Sequence, residues 1–420
     1  MKEKLNVAFI GLGQRGKSLL CDVVTPMKDI NIIGLCDLYE DRVQECFDAV
    51  KEKKGNEPFK TNNYKEILEL ENIDAVIISA AWEAHINITI EAMRKGIIVG
   101  SEVGGAYSID DCWRLVHAYE ETKTPVMMLE NCCYGRRELM VLNMIKKGVL
   151  GEIVHMKGGY RHDLRDEVAD GEKNRHYRLN NYIHRNCENY PTHEIGPISK
   201  ALNINNGNRM LTLVSMSSKA RGLNEYINEK RPESKLKNTI FCQGDIVTTM
   251  IKCANGETIA IDLDTTLPRA YSRGFEAHGT KGVYLEDNDS LFLDSEMGIK
   301  DHFKWKEHWK NTEEYQGKYD HPLWQEYTKG DINKGHGGID WLVLRAFFES
   351  IKHGTYMPID VYDMALWMSI TPLSEMSISM GSMPVAIPDF TNGKWCDRRD
   401  FTDNKYSLEK ICEDESISIL

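Results

Sequence analysis

The chain has 420 residues, and its 41% hydrophobic and 28% charged residues are typical of a folded globular protein. The 52 Lys and Arg against 64 Asp and Glu give a net charge of −12, which disfavours nucleic acid and anionic membranes as main partners. No apolar run approaches the length of a membrane span. Eleven cysteines without a Cys-x-x-Cys pair favour reduced thiols and a cytoplasmic location, and they predict no metal site.

The first strand and the turn after it form a phosphate-binding pattern. Residues 7–10 are apolar, and Gly11, Gly13 and Gly16 follow with the spacing Gly-x-Gly-x-x-Gly. These glycines permit a tight turn, a close approach to a pyrophosphate and the packing of a helix, predicted at residues 17–24. A second apolar run ends at Asp37, near the roughly 20-residue offset of the acid that binds ribose hydroxyls. A dinucleotide is therefore expected, and Asp37 favours NAD because it would repel a 2′-phosphate.

Strands and helices then alternate, which predicts an N-terminal Rossmann domain with a doubly wound parallel sheet over residues 1–131. Strands are predicted at 30–36, 74–79, 97–99 and 125–129, and helices at 86–95 and 109–122. Residues 80–85 are expected to form a loop at the carboxyl end of a strand, where open α/β sheets bind ligands. Glu130 and Asn131 follow the last of these strands, and we expect them to face the cofactor.

The pattern changes after residue 131, and residues 132–420 are predicted to form a C-terminal α+β domain with a mainly antiparallel, open-faced sheet. Strands are predicted at 152–162, 210–217, 246–253, 258–266, 275–285 and 291–293. Residues 254–257 (Ala-Asn-Gly-Glu) are typical of a hairpin turn. We expect helices on one face of this sheet and the open face to close over the nicotinamide. A helix at 361–380 is expected to kink or break near Pro372.

Four polar clusters in the second domain are candidates for chemistry. They span residues 159–163, 176–181, 189–197 and 268–273. The third is the strongest, because Pro191 biases Tyr190 toward an extended backbone and a helix start would then project Tyr190, Thr192 and His193. Histidine is the usual proton carrier near neutral pH, and a tyrosine serves when a neighbouring cation lowers its pKa.

Each of these residues also has a structural alternative. His193 would equally well cap a helix or satisfy a buried backbone group. Tyr160 and Tyr271 are explained as aromatic side chains that pack on the sheet. Arg178 would be a solvated surface charge. The residues by themselves leave these alternatives open.

Ten short motifs along the chain together resemble a known family. They lie at residues 11–16, 82–85, 102–103, 130–135, 159–165, 190–193, 271–273, 321–324, 335–340 and 388–395. With these motifs the chain resembles the Gfo/Idh/MocA group of NAD(P)-dependent sugar enzymes and, within it, glycoside hydrolase family 109. Dehydrogenases of the wider group usually carry Glu-Lys-Pro where this chain has Glu102-Val103-Gly104, and family 109 typically has Glu-Val-Pro.

The resemblance implies NAD as the cofactor and a small-molecule glycoside as the substrate. The implied cofactor residues are Gly11, Gly13, Gln14, Arg15, Gly16, Asp37, Trp82, Glu83, Ala84, His85, Glu102, Val103 and Asn131. The implied substrate residues are Tyr160, Arg178, Tyr190, Pro191, Thr192, His193 and Tyr271. His193, Tyr160 and Tyr190 are the expected catalytic residues, and a homo-oligomer is expected through the sheet of the second domain.

The implied activity is an NAD-dependent cleavage of terminal α-N-acetylgalactosaminides. Transient oxidation at carbon 3 of the sugar would permit elimination of the aglycone and addition of water, with no net redox change. Two alternatives share the same cofactor motifs. One is an NAD-dependent sugar oxidoreductase of the Gfo/Idh/MocA type, and the other is a non-catalytic sugar sensor.

Overall fold

The computed structural model describes residues 2–294, 305–329, 335–398 and 400–411. Its strands form two sheets, one of six strands and one of eight. The first sheet consists of β1 (Leu5–Ile10), β2 (Ile30–Cys36), β3 (Phe59–Thr61), β4 (Ala75–Ile78), β5 (Ile98–Ser101) and β6 (Val126–Met128). Its order is β3-β2-β1-β4-β5-β6 and all of its pairs are parallel, which confirms the Rossmann sheet.

The helices connected to the first sheet lie close to their predicted positions. They are α1 (Gln14–Ser18), α2 (Glu40–Lys54), α3 (Tyr64–Ile67), α4 (Trp82–Arg94) and α5 (Ile109–Thr122). Helix α1 begins earlier than predicted and continues as a π-helix over Leu19–Val24. The loop predicted at residues 80–85 is wrong beyond Ala81, because α4 begins at Trp82 and buries Trp82 and His85 in its first turn.

The second sheet consists of β7 (Ile153–Arg161), β8 (Met210–Ser217), β9 (Ile246–Cys253), β10 (Thr258–Asp264), β11 (Glu276–Gly279), β12 (Gly282–Leu285), β13 (Ser290–Leu293) and β14 (Val385–Ala386). Its order is β13-β12-β11-β7-β10-β9-β8-β14. Every pair is antiparallel except β7 with β10, so the predicted mainly antiparallel sheet is confirmed. The strand predicted at 275–285 is interrupted between β11 and β12.

Ten further helices accompany this sheet in the described residues. They are α6 (Arg136–Lys146), α7 (Arg165–Ala169), α8 (Gly171–Asn174), α9 (Arg178–His184), α10 (Thr192–Ala201), α11 (Gly222–Lys230), α12 (Thr312–Tyr319), α13 (Pro322–Tyr327), α14 (Ile339–His353) and α15 (Val361–Ser379). Short 3-10 turns lie at Asn131–Tyr134, Lys235–Asn238, Trp305–His308, His336–Gly338 and Lys394–Cys396. Helix α15 continues through Pro372, so a break there is wrong. None of the described helices combines the length and the apolar character needed to cross a membrane.

Helix α10 lies directly on β7 because of a glycine in that strand. A Cβ on Gly158 would stand 2.6 Å from the Cβ of Glu194 in α10, so a side chain at this position would push the helix away. Tyr160 is two residues further along β7 and therefore points to the same, helix-covered face. Tyr160 therefore lies on the covered face of the sheet, and the expectation that the open face closes over the nicotinamide stays a prediction. The division of the chain at residue 131 stays a prediction.

Helix α10 is fixed at its far end by a buried ion pair. The Lys200 ammonium lies 2.7 Å from a carboxylate oxygen of Asp363 in α15 and 2.6 Å from one of Glu409. Both Lys200 and Asp363 are buried. The two carboxylates therefore hold a buried cation at the end of the helix that carries His193.

We expect Lys200→Met to lower the free energy of unfolding by about 3–5 kcal/mol at neutral pH, because it leaves a buried carboxylate without its partner. Denaturant titration of the purified variant measures the loss. The exposed Lys237→Met serves as the control and should change stability by less than about 0.5 kcal/mol. A loss below about 1 kcal/mol for Lys200→Met would contradict the role of this ion pair.

Candidate active site

The glycine turn after β1 is shaped by close backbone contacts. Gly11 has φ +94°, and a Cβ on it would lie 2.4 Å from the backbone nitrogen of Ala80. A Cβ on Gly16 would lie 2.1 Å from the carbonyl oxygen of Gly11. At Gly13, by contrast, the nearest atom to such a Cβ is Nη1 of Arg42 at 3.5 Å. The turn therefore leaves open space beside Gly13, where a pyrophosphate fits against the backbone.

Asp37 lies at the end of β2 with its carboxylate aimed at the same turn. One oxygen accepts a hydrogen bond from the backbone N–H of Leu12 at 2.7 Å, and the other accepts one from Tyr39 N–H at 3.0 Å. Each oxygen keeps a lone pair for a further donor. The carboxylate therefore fits the ribose hydroxyls of NAD, in the manner that its spacing from the glycines predicts.

Arg15 and Asn131, both expected near the cofactor, converge on one buried carboxylate. The Arg15 guanidinium donates to both oxygens of Asp340 at 2.8 and 2.9 Å, and its Nε donates to Glu102 at 3.1 Å. The Asn131 amide donates to Asp340 at 2.7 Å. Burial alone would raise the pKa of Asp340, but hydrogen bonds from His336 and Arg15 outweigh it and hold the pKa well below its usual range. The base of the groove is thus a network of fixed charges.

The other expected cofactor residues lie on neighbouring segments of the same sheet edge. Gln14 and Glu83 are exposed, Ala84 is half-buried, and Trp82, His85, Glu102 and Val103 are buried. A Cβ on Gly104 would stand 2.5 Å from the Trp82 indole, so the indole packs directly over this residue. Burial lowers the pKa of His85 to about 4, which keeps it neutral at physiological pH.

The expected catalytic residues meet in one aromatic cluster. Tyr160 lies near the end of β7, Tyr190 just before α10, and His193 in the first turn of α10. The ring centroids of Tyr160 and Tyr190 are 4.3 Å apart, and His193 lies 4.9 Å from Tyr190 and 5.5 Å from Tyr160. Trp82, the first residue of α4, lies 5.7 Å from Tyr190. The cluster therefore borders the cofactor groove.

His193 is held by a carboxylate from the first sheet. Its Nδ1 lies 2.7 Å from an oxygen of Glu130, whose side chain is fully buried. The same oxygen accepts the backbone N–H of Cys132 at 3.0 Å. Burial alone would raise the pKa of Glu130, but the charge and hydrogen bond of His193 outweigh it and lower the pKa. Glu130, which we expected to face the cofactor, instead lies behind His193 and fixes the orientation of its ring.

Arg178 is not a solvated surface charge. It is buried, and its guanidinium carbon lies 4.9 Å from the Tyr190 ring, 5.2 Å from Trp82 and 5.8 Å from Tyr160. Its Nε lies within ion-pair distance of Glu167, at 2.9 Å, but neither Nε nor Nη1 has a hydrogen-bond partner in the described part of the chain. A buried guanidinium with an unused N–H can bind an acceptor atom of a ligand.

Tyr160 forms a second proton-carrying pair with His162. Its hydroxyl lies 3.2 Å from the His162 Nδ1. Burial raises the pKa of Tyr160 to about 12 although the Arg178 charge opposes it, so the hydroxyl stays protonated at neutral pH. Tyr271 is half exposed, 5.2 Å from the His162 ring and 6.4 Å from that of Tyr160, at the rim of the cluster.

The two remaining expected substrate residues precede His193. Pro191 is at the N-cap position of α10, and Thr192, the first residue of the helix, is fully buried. His162, Asp340 and the pairing of Glu130 with His193 were not anticipated. The signals available for them were that His162 and Asp340 lie within motifs of the resemblance and that Glu130 follows a strand.

Glu130, Cys132 and His193 also place three metal-ligating atoms within 4.8 Å of one another, although the sequence predicted no metal. Two of these groups already bond to each other, and Nη1 of Arg273 donates to the Cys132 sulfur at 3.1 Å. A metal cation bound here would lie beside this positively charged guanidinium, which would repel it. The cluster is therefore better described as a hydrogen-bonded pair beside a thiol.

Two family models match the chain. The model for "Glycosyl hydrolase 109, C-terminal domain" matches residues 134–397, and the model for "Oxidoreductase family, NAD-binding Rossmann fold" matches residues 5–130. A glycosyl hydrolase family 109 protein of Stenotrophomonas maltophilia is 38% identical, over 94% of this chain and 91% of that protein. An alpha-N-acetylgalactosaminidase of Tannerella forsythia is 35% identical, over 94% and 88% of the two chains.

Solved structures share the fold at lower identity. A levoglucosan dehydrogenase in complex with NADH and levoglucosan superimposes with a TM-score of 0.68 at 18% identity, covering 92% of this chain and all of that chain. Myo-inositol 2-dehydrogenase from Lactobacillus plantarum gives 0.63 at 15% identity, with the same coverage. These likenesses establish the two-sheet architecture.

We expect Glu188→Gln to stabilise the protein above neutral pH. Burial, and then the charge of Asp262, raises the pKa of Glu188 to about 8, so the folded state holds a proton that the unfolded state loses near pH 4.5. The contribution of Glu188 to the stability of the parent protein therefore falls as pH rises from about 4.5 to 8, by up to about 1.4 kcal/mol per pH unit.

Unfolding titrations from pH 4 to 9 measure this difference. The gain in free energy of unfolding of Glu188→Gln over the parent protein should grow as pH rises from about 4.5 to 8 and vanish at the acidic end of that range. The matched control is Glu225→Gln at an exposed position. A pH-independent difference between Glu188→Gln and the parent would contradict the raised pKa.

Proposed function

The chain belongs to glycosyl hydrolase family 109, and from that membership we propose that it cleaves terminal α-N-acetylgalactosaminides with NAD as a cofactor that is regenerated in every cycle. The observation that carries this proposal is the meeting of two proton-carrying pairs, His193 with Glu130 and Tyr160 with His162, beside the cofactor groove. A glycosidase relative that is 35% identical over most of both chains supports the substrate class.

The groove residues would hold the dinucleotide, with the pyrophosphate beside Gly13 and the ribose on Asp37. Bound NAD supplies a hydride acceptor for carbon 3 of the sugar and returns the hydride at the end of the cycle. The chain itself must move two protons, one from the carbon 3 hydroxyl and one from carbon 2. A carbonyl at carbon 3 acidifies the carbon 2 proton, so a base of moderate strength suffices to remove it.

His193 is the proposed base for one of these two protons. Glu130 accepts a hydrogen bond from its Nδ1, which leaves Nε2 free to take a proton from the sugar and stabilises the charged ring that results. Tyr160 stays protonated, so it can take the other proton from the sugar only as it passes its own proton to His162, and the reverse transfer returns that proton later in the cycle. Tyr190 and Tyr271 would position the sugar ring. Arg178 would bind an acceptor atom of the substrate with its unused N–H.

The alternative is a sugar oxidoreductase, which the fold shared with levoglucosan dehydrogenase keeps open. The lysine that dehydrogenases of this group carry is replaced by Val103, whose side chain is buried and cannot carry a proton. This difference favours the hydrolase.

We also propose a homo-oligomer through the open face of the second sheet. Val214, Met250 and Ala260 lie side by side on paired strands of that face, and Met250 and Met216 are exposed. An apolar row of this kind favours burial against another sheet. A cytoplasmic location is proposed as well, because the ten cysteines of the described residues are free thiols.

The elimination route predicts exchange with solvent. We expect nitrophenyl α-N-acetylgalactosaminide to be cleaved in deuterated water with deuterium at carbon 2 of the released sugar, because the carbon 2 proton is lost and replaced. Mass spectrometry of the product measures this, and NADH fluorescence in the same wells should show no stoichiometric release. Nitrophenyl α-galactoside, which lacks the acetamido group, is the matched control. Cleavage without deuterium would contradict the route, and stoichiometric NADH release would favour the oxidoreductase.

Removal of the carboxylate behind His193 should alter the pH dependence of the reaction. Glu130→Gln keeps the volume of the side chain but no longer stabilises the charged imidazole. We expect kcat to fall about 10²-fold and the acid limb of the pH–rate profile to move to lower pH, whereas His193→Ala should cost about 10²–10⁴-fold. Glu225→Gln at an exposed position is the control. An unshifted profile in Glu130→Gln would show that Glu130 has only a structural role.

A further inference from the structure

A segment that follows β7 reaches across to the first sheet. Residues 171–181, here called the crossing segment, comprise α8 and the first half of α9, and they precede the strongest cluster of site residues. A Cβ on Gly171 would lie 2.6 Å from the Cβ of Leu179, so the two ends of the segment are held against each other. The segment is therefore a compact turn, and its tip carries Asn174 and Arg175.

The crossing segment contacts the first sheet at three places. Its tip meets the start of α2, which follows β2 and Asp37. Its middle places the Tyr177 ring 4.7 Å from that of Trp82, which follows β4. At its end, the Oδ1 of Asn181 accepts a hydrogen bond from the Tyr107 hydroxyl at 3.1 Å. Tyr107 follows β5.

All three contact points lie beyond the carboxyl ends of parallel strands. In an open parallel sheet of this order, a dinucleotide lies in the crevice outside those same ends. A segment that touches the chain after β2, after β4 and after β5 consequently passes over the groove from the ribose end at Asp37 to the end at Trp82.

We propose that the crossing segment forms the outer wall of the NAD groove, and that the contact of Arg175 with Asp41 must open before the dinucleotide can leave. This inference rests on the proposed function, in which NAD is regenerated in every cycle. A cofactor used in this way has no need to dissociate, so a wall that retains it is useful. It adds Arg175, Asn174 and Tyr177 from the second part of the chain to a cofactor site that the sequence placed in residues 1–131.

The contact at the tip is bidentate and supported by an aromatic ring. The two terminal nitrogens of Arg175 donate to the two oxygens of Asp41 at 3.0 and 2.7 Å. The Arg175 guanidinium lies 4.2 Å from the centre of the Tyr39 ring, and that of Arg42 lies 4.8 Å from it. Arg42 also donates to the carbonyl of Asn174 at 3.0 Å.

This part of the wall is the one that can open. The ion pair is solvent-exposed and so contributes little stability to the fold, whereas Trp82 and Arg178 at the other end are buried. Arg175 has a left-handed backbone with φ +54°, so a change of its conformation would release the tip while the buried end stays in place.

The release of NADH tests the proposal directly. Protein loaded with NADH is mixed with excess NAD, and the decay of the bound nicotinamide fluorescence gives the dissociation rate without any glycoside. We expect Arg175→Ala, which loses the exposed bidentate pair and the cation–π contact with Tyr39, to release NADH about 5–20-fold faster, and Asp41→Asn, which loses only the pair, to release it about 2–5-fold faster. The double variant should release it no faster than Arg175→Ala, because both substitutions break one contact.

Arg114→Ala is the matched control, since it breaks an exposed ion pair with Asp111 on α5. It should leave the dissociation rate unchanged. If Arg175→Ala does not fold, Asp41→Asn on the other side of the contact gives the same measurement. Unchanged NADH release in a folded Asp41→Asn variant would overturn the proposal, whether or not the protein cleaves a glycoside. Failure to cleave glycosides with accelerated NADH release would overturn the proposed function and leave the outer wall intact.

Discussion

The hydrogen-bonded pair of Glu130 and His193 is the contact on which the site depends, because it joins the two sheets. Glu130 follows the last strand of the parallel sheet, and His193 lies in the first turn of the helix that packs on the second sheet. A fully buried carboxylate is costly unless a partner compensates its charge. The first sheet therefore determines where the imidazole stands, while the second sheet supplies the tyrosines around it.

Buried charges elsewhere in the groove are paired in the same way. The Asp340 carboxylate accepts hydrogen bonds from Arg15, Asn131 and His336, so these polar side chains are already bonded within the protein. In the proposed site, the dinucleotide is left with the backbone beside Gly13 and the remaining lone pairs of Asp37. This division would give the dinucleotide a preorganised groove, since few side chains would have to reorient when it binds.

Close backbone packing sets the distances within the site. Gly158 lets α10 lie on β7, which brings His193 to Tyr160, and Gly104 lets the Trp82 indole lie flat against the chain after β5. The aromatic rings then surround the Arg178 guanidinium, which is buried and keeps N–H groups on Nε and Nη1 without a hydrogen-bond partner in the described residues. A polar group held in an apolar wall in this way recognises a ligand atom more strongly than it would in water.

The sequence by itself determined the elements whose pattern is local. Strand β2, helix α5 and strand β8 lie at their predicted residues, and the glycine spacing with Asp37 indicated the dinucleotide groove, because these signals depend on neighbours a few residues apart. Tertiary structure alone decided the parallel pairing of β7 with β10, the start of α4 at Trp82, the burial of Arg178 and the pairing of Glu130 with His193. The last two residues are 63 positions apart, and no periodicity along the chain records which side chains come together when separate elements pack. Burial and pairing are properties of the packed elements, so only the folded chain could show that these charged residues face each other and not the solvent.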